Sequence, residues 1–326
     1  MKDRVAGAAD SFTGSPSFGD VVAAAARIAG HVRRTPVMTS RTLDEMVGSE
    51  VLMKCENLQG GGAFKLRGAT NAVLCLNDDQ ARRGVAAHSS GNHAGALALA
   101  ASRRGIPAHL VMPSDVTAAK KAAVEGYGGR VVLCEATLAA REATVAQVVA
   151  ETGATEVHPY DNPWVIAGAG TATLELLAEA GPLDGVVAPV SGGGLLSGTA
   201  LAAHGAQPGI RVVVAEPLLA DDAARSLAAG RRLDAGPGPT TMADGLLATL
   251  SDRTFAILRD TVDEIVTVTE DQIVEAMRLL WERMKLVVEP AGAVPIAALL
   301  ARPGAWPPRV GVIASGGNVD LDRLPF

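Results

Sequence analysis

Residues 186–203 read VVAPVSGGGLLSGTALAA, a β-branched run that leads through three glycines into an alanine- and leucine-rich segment. A short buried strand, a glycine turn and a helix in this order are typical of the crossover units that build parallel sheets. The backbone N–H groups that begin such a helix can bind an anion such as phosphate. Glycine is also needed where a helix packs closely on a strand, so both interpretations remain open for this loop.

The same alternation of strand and helix patterns continues through most of the chain. It predicts an α/β fold with parallel sheets, whose ligands bind in loops beyond the carboxyl ends of the strands. One predicted helix begins at Thr269, where Gln272 completes a capping box. The predicted strands are 51–53, 85–87, 109–111, 131–133, 186–190, 212–215 and 310–314.

The composition limits the classes of function. The 326 residues are 48% hydrophobic and carry a net charge of −6, which predicts a folded chain and disfavours a nucleic-acid or acidic-membrane partner. The three cysteines, Cys55, Cys75 and Cys134, have no C-x-x-C spacing, so we expect neither a disulfide framework nor a structural zinc site. A cytoplasmic location without signal peptide or membrane-spanning helix is expected.

Two further glycine loops follow predicted strands. Residues 89–93 read SSGNH and residues 315–318 read SGGN. The first is either an anion-binding helix start or an ordinary helix cap, and the second is either a site loop or a turn. No Gly-Lys-Ser/Thr follows any glycine loop, which excludes a nucleotide P-loop. Glu216, at the end of the next strand after residues 191–194, keeps a dinucleotide site as an alternative.

A lysine follows the glycine run of residues 60–62, in the segment 60–69 that reads GGGAFKLRGA. Lys65 stands between Phe64 and Leu66, so its amine is expected to be partly desolvated. Desolvation lowers the pKa of an amine and favours the neutral nucleophile that Schiff-base chemistry requires. The alternative is a solvated lysine on a helix surface.

Together these segments resemble the fold-type II family of pyridoxal-phosphate enzymes, which is tryptophan synthase β-like in fold. Within it they are most similar to the branch of serine racemases and serine/threonine dehydratases. The resemblance covers nearly the whole chain in the same order. Its motifs are Glu56-Asn57, 63–69 (AFKLRGA), 89–93 (SSGNH), His158-Pro159, 166–171 (IAGAGT), 191–195 (SGGGL), 215–217 (AEP), 243–245 (ADG), 281–285 (WERMK), Glu289-Pro290 and 315–321 (SGGNVDL).

The resemblance implies roles for single residues. Lys65 would form the Schiff base with the cofactor and then act as general base. Ser90 would face the opposite side of the ring, as in racemases, whereas many dehydratases without racemase activity carry alanine there; a helix-capping serine is the alternative. The other implied cofactor-binding residues are Phe64, Asn92, Ser191, Gly192, Gly193, Gly194, Leu195, Glu289 and Ser315. The implied substrate-binding residues are Ser89, Ser90, Gly91, Asn92, His93 and Arg141.

A divalent cation is also implied. Glu216, the carbonyl of Ala220 and Asp222 match the cation site of the racemase-like branch, and such hard oxygen ligands suit Mg²⁺, Mn²⁺ or Ca²⁺. An acidic pair that caps a helix is the alternative. Arg141 or His88 could favour a substrate with a second carboxylate, although a solvated arginine and a packed histidine are the simpler interpretations.

The sequence therefore predicts a two-lobe enzyme with open, mostly parallel sheets flanked by helices. Residues 1–81 and 161–326 would form the large cofactor-binding domain and residues 82–160 a small mobile domain. The expected reaction is β-elimination from L-serine or L-threonine, giving a 2-keto acid and ammonia. Amino-acid racemisation and dehydration of threo-3-hydroxyaspartate are the alternatives. The family also implies a homodimer.

Overall fold

Six strands form the larger of two sheets. The structure is a computed structural model that describes residues 14–89, 91–236 and 240–326. The order is β1-β2-β10-β7-β8-β9, in which β1 runs antiparallel to β2 and all other pairs are parallel. The strands are β1 Val37–Met38, β2 Glu50–Cys55, β7 Gly185–Pro189, β8 Arg211–Pro217, β9 Glu264–Val268 and β10 Arg309–Ala314.

Four parallel strands form the smaller sheet in the order β5-β4-β3-β6. They are β3 Val85–His88, β4 Ala108–Pro113, β5 Arg130–Cys134 and β6 Thr155–Glu156. All seven strands predicted from the sequence are present, and the predicted α/β class is confirmed. The additional strands β1 and β6 have two residues each, too short for a sequence pattern, and β9 mixes exposed and buried positions.

Helices cover both sheets, and none within the described ranges is long and apolar enough to cross a membrane. The predicted capping box of Thr269 and Gln272 is confirmed at the start of α12. The helices are α1 Phe18–Ile28, α2 Arg41–Val47, α3 Lys65–Cys75, α4 Asp78–Arg83, α5 Asn92–Arg104, α6 Ala118–Gly126, α7 Leu138–Thr152, α8 Pro163–Ala180, α9 Gly194–Ala206, α10 Asp222–Ala229, α11 Asp252–Thr261, α12 Glu270–Leu279 and α13 Pro290–Ala301.

Helix α3 lies between the two sheets. Its Leu66 and Ala69 are buried in one core with Leu97 of α5, beside the smaller sheet. On its other side α3 meets α8 with almost no side chain between them, since a Cβ atom at Gly68 would lie 2.7 Å from the carbonyl oxygen of Val165. The helix that begins with Lys65 is thus held from both sides. The domain limits at residues 82 and 160 stay a prediction.

A buried ionic network anchors the same helix. Arg67 donates to Glu56 at 2.8 Å and to Glu175 at 2.7 Å, and Lys54 also reaches Glu175 at 2.7 Å. The side chains of Arg67, Glu56 and Lys54 have no exposed surface. Because an unpaired buried charge is costly, these partners fix α3 against β2 and α8.

Candidate active site

The Lys65 amine lies at the first residue of α3, desolvated by the surrounding protein. Nζ donates a hydrogen bond to the carbonyl oxygen of Pro159 at 2.9 Å and lies 5.1 Å from the centre of the Phe64 ring. Burial lowers the pKa of Lys65 from 10.5 to about 8. The predicted desolvation of this amine is confirmed, and a substantial fraction is the neutral nucleophile near pH 8.

The loop after β10 is pinned to the segment that precedes Lys65. The N–H of Phe64 donates to the carbonyl oxygen of Ser315 at 3.0 Å, and the N–H of Gly317 donates to that of Gly62 at 2.9 Å. Ser315 is buried. The structure therefore brings together Phe64, Lys65 and Ser315, although Ser315 is far from the other two in sequence.

The loop of residues 191–194 connects β7 to α9, as predicted. Gly193 has φ +88°, a left-handed conformation that favours glycine. A Cβ atom at Gly192 would overlap the ring of Tyr160, which follows the hydrogen-bond partner of Lys65 in the chain. The glycines thus let Tyr160 approach the loop. Since α9 begins at Gly194, its first N–H groups lack partners inside the helix and are available to an anion.

Asn92, the first residue of α5, is held by two side chains. Its amide nitrogen donates to Glu289 at 2.7 Å, and its amide oxygen accepts from Asn318 at 2.9 Å. A Cβ atom at Gly62, where φ is +76°, would overlap the Asn318 amide. Burial raises the pKa of Glu289 to about 7. The glycine run before Lys65 therefore makes room for the group that orients Asn92.

Ser89, Gly91 and His93 lie at the start of α5, beyond the carboxyl end of β3. The hydroxyl of Ser89 accepts from the N–H of Gly91 at 3.2 Å, and His93 contacts the carbonyl oxygen of Val157 at 2.8 Å. Burial, together with the nearby positive charge of Lys65, lowers the pKa of His93 to about 3. Its ring is therefore neutral at physiological pH. Ser90 lies outside the described residues, and its role stays a prediction.

Two more histidines extend from this loop toward α7. The rings of His88 and His158 lie 5.6 Å apart, and the His158 ring lies 4.6 Å from that of Tyr160. Burial lowers the pKa of His158 to about 4. Burial, followed by the charge of Arg141, lowers the pKa of His88. Arg141 thus lies within electrostatic range of His88, and no hydrogen bond among the described contacts joins it to Lys65 or Asn92.

The carboxylates of the predicted cation site come together at the end of β8. Glu216 accepts from the N–H groups of Ala223 and Ala224 at 2.9 Å, so it caps the start of α10. Oδ2 of Asp222 is buried and has no hydrogen-bond partner in the described part of the chain. Burial raises the pKa of Glu216 to about 8 and that of Asp222 to about 6. Among the described residues no cluster of three His, Cys, Asp or Glu side chains could hold a metal.

The residues around Lys65 fit pyridoxal phosphate. The desolvated amine can bind its aldehyde, the start of α9 can bind its phosphate, and Ser315 is held to Phe64, beside Lys65, through its backbone carbonyl. Sequence reasoning assigned no role to Pro159, Tyr160 or Asn318. His158-Pro159 and Asn318 stand in the motifs of the family resemblance, but no local pattern shows that they contact Lys65 and Asn92.

Comparisons with known proteins point to one family of enzymes. The family model "Pyridoxal-phosphate dependent enzyme" matches residues 28–316. The chain is 51% identical to the beta-hydroxyaspartate dehydratase of Paracoccus denitrificans (strain Pd 1222), over 95% of this chain and 99% of that protein. Maize serine racemase superposes with a TM-score of 0.92 at 45% identity, covering 94% of this chain and 95% of that one. For the serine racemase of Dictyostelium discoideum the TM-score is 0.90 at 44% identity, covering 94% and 99%.

Proposed function

The chain belongs to the family of pyridoxal-phosphate-dependent enzymes, and we propose that it eliminates the β-hydroxyl group of a hydroxy-amino acid, which yields a 2-keto acid and ammonia. The observation that carries the proposal is the desolvated Lys65 amine, held at 2.9 Å from the Pro159 carbonyl beside Phe64 and Ser315. The relatives of this chain include both lyases and racemases. The proposed reaction is therefore the β-elimination expected from the sequence, and the substrate is considered separately.

The residues of the chain have separate tasks in this reaction. Bound pyridoxal phosphate supplies an electron sink for the charge that remains when the α-proton leaves. Lys65, neutral in part near pH 8, accepts the α-proton at Nζ and returns it to the departing hydroxyl, which leaves as water. The start of α5 binds the substrate carboxylate, and the start of α9 binds the cofactor phosphate. Asn92, fixed by Glu289 and Asn318, orients the ring.

For the substrate we favour 3-hydroxyaspartate over L-serine and L-threonine. The positive charge of Arg141 lowers the pKa of His88, so the two side chains are near each other. His88 directly precedes the loop that would bind the substrate α-carboxylate. A guanidinium group near this loop could form charge-assisted hydrogen bonds with a second carboxylate of the substrate. The Paracoccus relative, named beta-hydroxyaspartate dehydratase, supports the same choice. Racemisation remains the second candidate, supported by the likeness to maize serine racemase.

We expect Arg141→Met to lower kcat/KM for 3-hydroxyaspartate by roughly 10- to 100-fold, because hydrogen bonds to charged groups contribute about 1.5–3 kcal/mol. The value for L-serine should change by less than about threefold, since serine has no second carboxylate. The assay measures keto acid, ammonia and D-isomer on L-serine, L-threonine and 3-hydroxyaspartate.

The matched control is Arg130→Met, which removes an exposed arginine at the start of β5 instead of one on α7. Equal losses on serine and 3-hydroxyaspartate in Arg141→Met would rule out Arg141 as the second-carboxylate partner. If the wild-type protein formed only D-isomers and no keto acid, the proposed reaction would be racemisation and not elimination.

We also propose that Glu216, Asp222 and the Ala220 carbonyl bind a divalent cation such as Mg²⁺. The support is the buried, unpartnered oxygen of Asp222 next to a second buried carboxyl group. A bound cation stabilises the native state by mass action, so millimolar MgCl₂ should raise the Tm of the wild type by several degrees. Asp222→Asn should abolish this increase, while Asp252→Asn, on an exposed helix start, should retain it. An equal Mg²⁺ effect in Asp222→Asn would contradict the site.

A further inference from the structure

The residues Ala243-Asp244-Gly245, to which no role has so far been given, contact a helix of the smaller sheet. Asp244 forms an ion pair with Lys120, although 124 positions separate them in sequence. Lys120 belongs to α6, which connects β4 and β5 of the smaller sheet. Asp244 belongs to a short segment that packs against the larger sheet. The pair therefore joins the part of the chain that packs on the smaller sheet to the part that packs on the larger sheet.

Asp244 stands on a rigid support. The preceding Ala243 is fully buried in the core of the larger sheet, and the N–H of Met242 donates to Glu270 at 2.7 Å. Downstream, the N–H of Ala248 donates to the hydroxyl of Ser191 at 3.2 Å. Asp244 is thus part of the same unit as the glycine loop of residues 191–194.

Lys120 stands beside the loop that would bind the substrate carboxylate. A Cβ atom at Gly91 would lie 4.0 Å from its Nζ. Helix α6 is attached to the smaller sheet by Val124, which is buried in the same core as Leu110 of β4. Movement of the smaller sheet would therefore carry Lys120 together with the start of α5.

We infer that Lys120 and Asp244 are positioning residues, whose ion pair holds the start of α5 at a fixed distance from the glycine loop of residues 191–194 during turnover. The inference rests on the proposed function for its kinetic measurement, while its structural measurement is independent of any substrate. Neither residue needs to touch the reacting atoms. Their effect is on the distance between the two halves of the site.

The exposure of the pair explains why its effect should be kinetic. The side chains are 33% and 59% exposed, and ion pairs so accessible to water add little to global stability. A small interaction nevertheless shifts an equilibrium between two arrangements of the sheets when it exists in only one of them. Loss of the pair should thus let the two sheets move apart more often without unfolding the protein.

The experiment compares Lys120→Met and Asp244→Asn with Lys121→Met in the holoenzyme. Lys121 is the matched control, since it lies on the same helix and pairs only locally with Glu125 at 3.5 Å among the described contacts. We expect both test variants to raise KM by roughly three- to fivefold with unchanged Tm. Amide hydrogen exchange should become faster by a similar factor in residues 89–93 and 118–126, but not in Lys121→Met.

Charge reversal, Lys120→Asp with Asp244→Lys, provides the second test. Because an anion beside Gly91 would repel the substrate, its rescue is measured by hydrogen exchange, which should return to the wild-type rate. The inference would be overturned if the test variants had the same KM and exchange rates as Lys121→Met. It would also be overturned if the exchange rate of the double variant were as high as that of the faster-exchanging single variant. A higher KM in Lys120→Met with unaltered exchange would do so too, since Lys120 would then contact the substrate directly. A wild type inactive on every hydroxy-amino acid would refute the proposed function alone.

Discussion

Replacing Lys65 by alanine is expected to lower turnover by at least about 10³-fold, since both the covalent attachment and the general base are lost. The amine is desolvated, so its neutral form exists at a pH where a solvated lysine is charged. Nothing else described beside Phe64 and Ser315 offers an amine. The measurement is keto-acid formation, together with borohydride trapping of the cofactor on the protein and peptide mapping of the labelled residue.

The pH dependence of cofactor capture tests the same amine. Because burial lowers the pKa of Lys65 to about 8, the rate at which the apoprotein captures pyridoxal phosphate should rise with pH and level off above about 8. An amine with the ordinary pKa of 10.5 would show a rise that continues well beyond about pH 9. Lys121→Ala is the control for surface lysines. Full turnover or undiminished borohydride labelling in Lys65→Ala would refute the assignment.

Arg67→Met is expected to lower the free energy of unfolding by roughly 3–5 kcal/mol, the usual effect of removing one partner of a buried ion pair. Methionine replaces much of the volume of the side chain but leaves Glu56 buried without its cation at 2.8 Å. Glu175 keeps Lys54 at 2.7 Å, so the larger cost falls on Glu56. The measurement is urea unfolding followed by circular dichroism, which reports stability independently of activity.

The control for this prediction is the surface pair of Arg34 and Glu179, which are 61% and 37% exposed and 3.8 Å apart. Arg34→Met should change the free energy of unfolding by less than about 0.5 kcal/mol, because water already screens these charges. Similar values for Arg67→Met and Arg34→Met would show that the buried network does not anchor α3.

The sheets could be predicted because their central strands are continuous apolar runs in the sequence. Runs such as 186–190 and 310–314 are buried on both faces and remain apolar throughout, which distinguishes them in the sequence. Strand β6 has only two residues and exists because they pair with β3, so no local sequence pattern predicts it. The division into domains, the homodimer and the role of Ser90 stay predictions.

The class of enzyme followed from the family resemblance that the ordered motifs carry, while each motif taken alone left an alternative open. The glycine loops after strands and the lysine after the glycine run indicated an anion-binding loop and a desolvated amine as possibilities, because these are short-range properties of backbone and side chain. The cofactor itself was implied by the resemblance. The contacts around these motifs depend on residues brought together across the chain. Pro159 reaches Lys65, Asn318 orients Asn92 and Lys120 meets Asp244 only because the two sheets and α3 pack as they do. Such pairings follow from the geometry of the folded chain, which no single segment of the sequence determines.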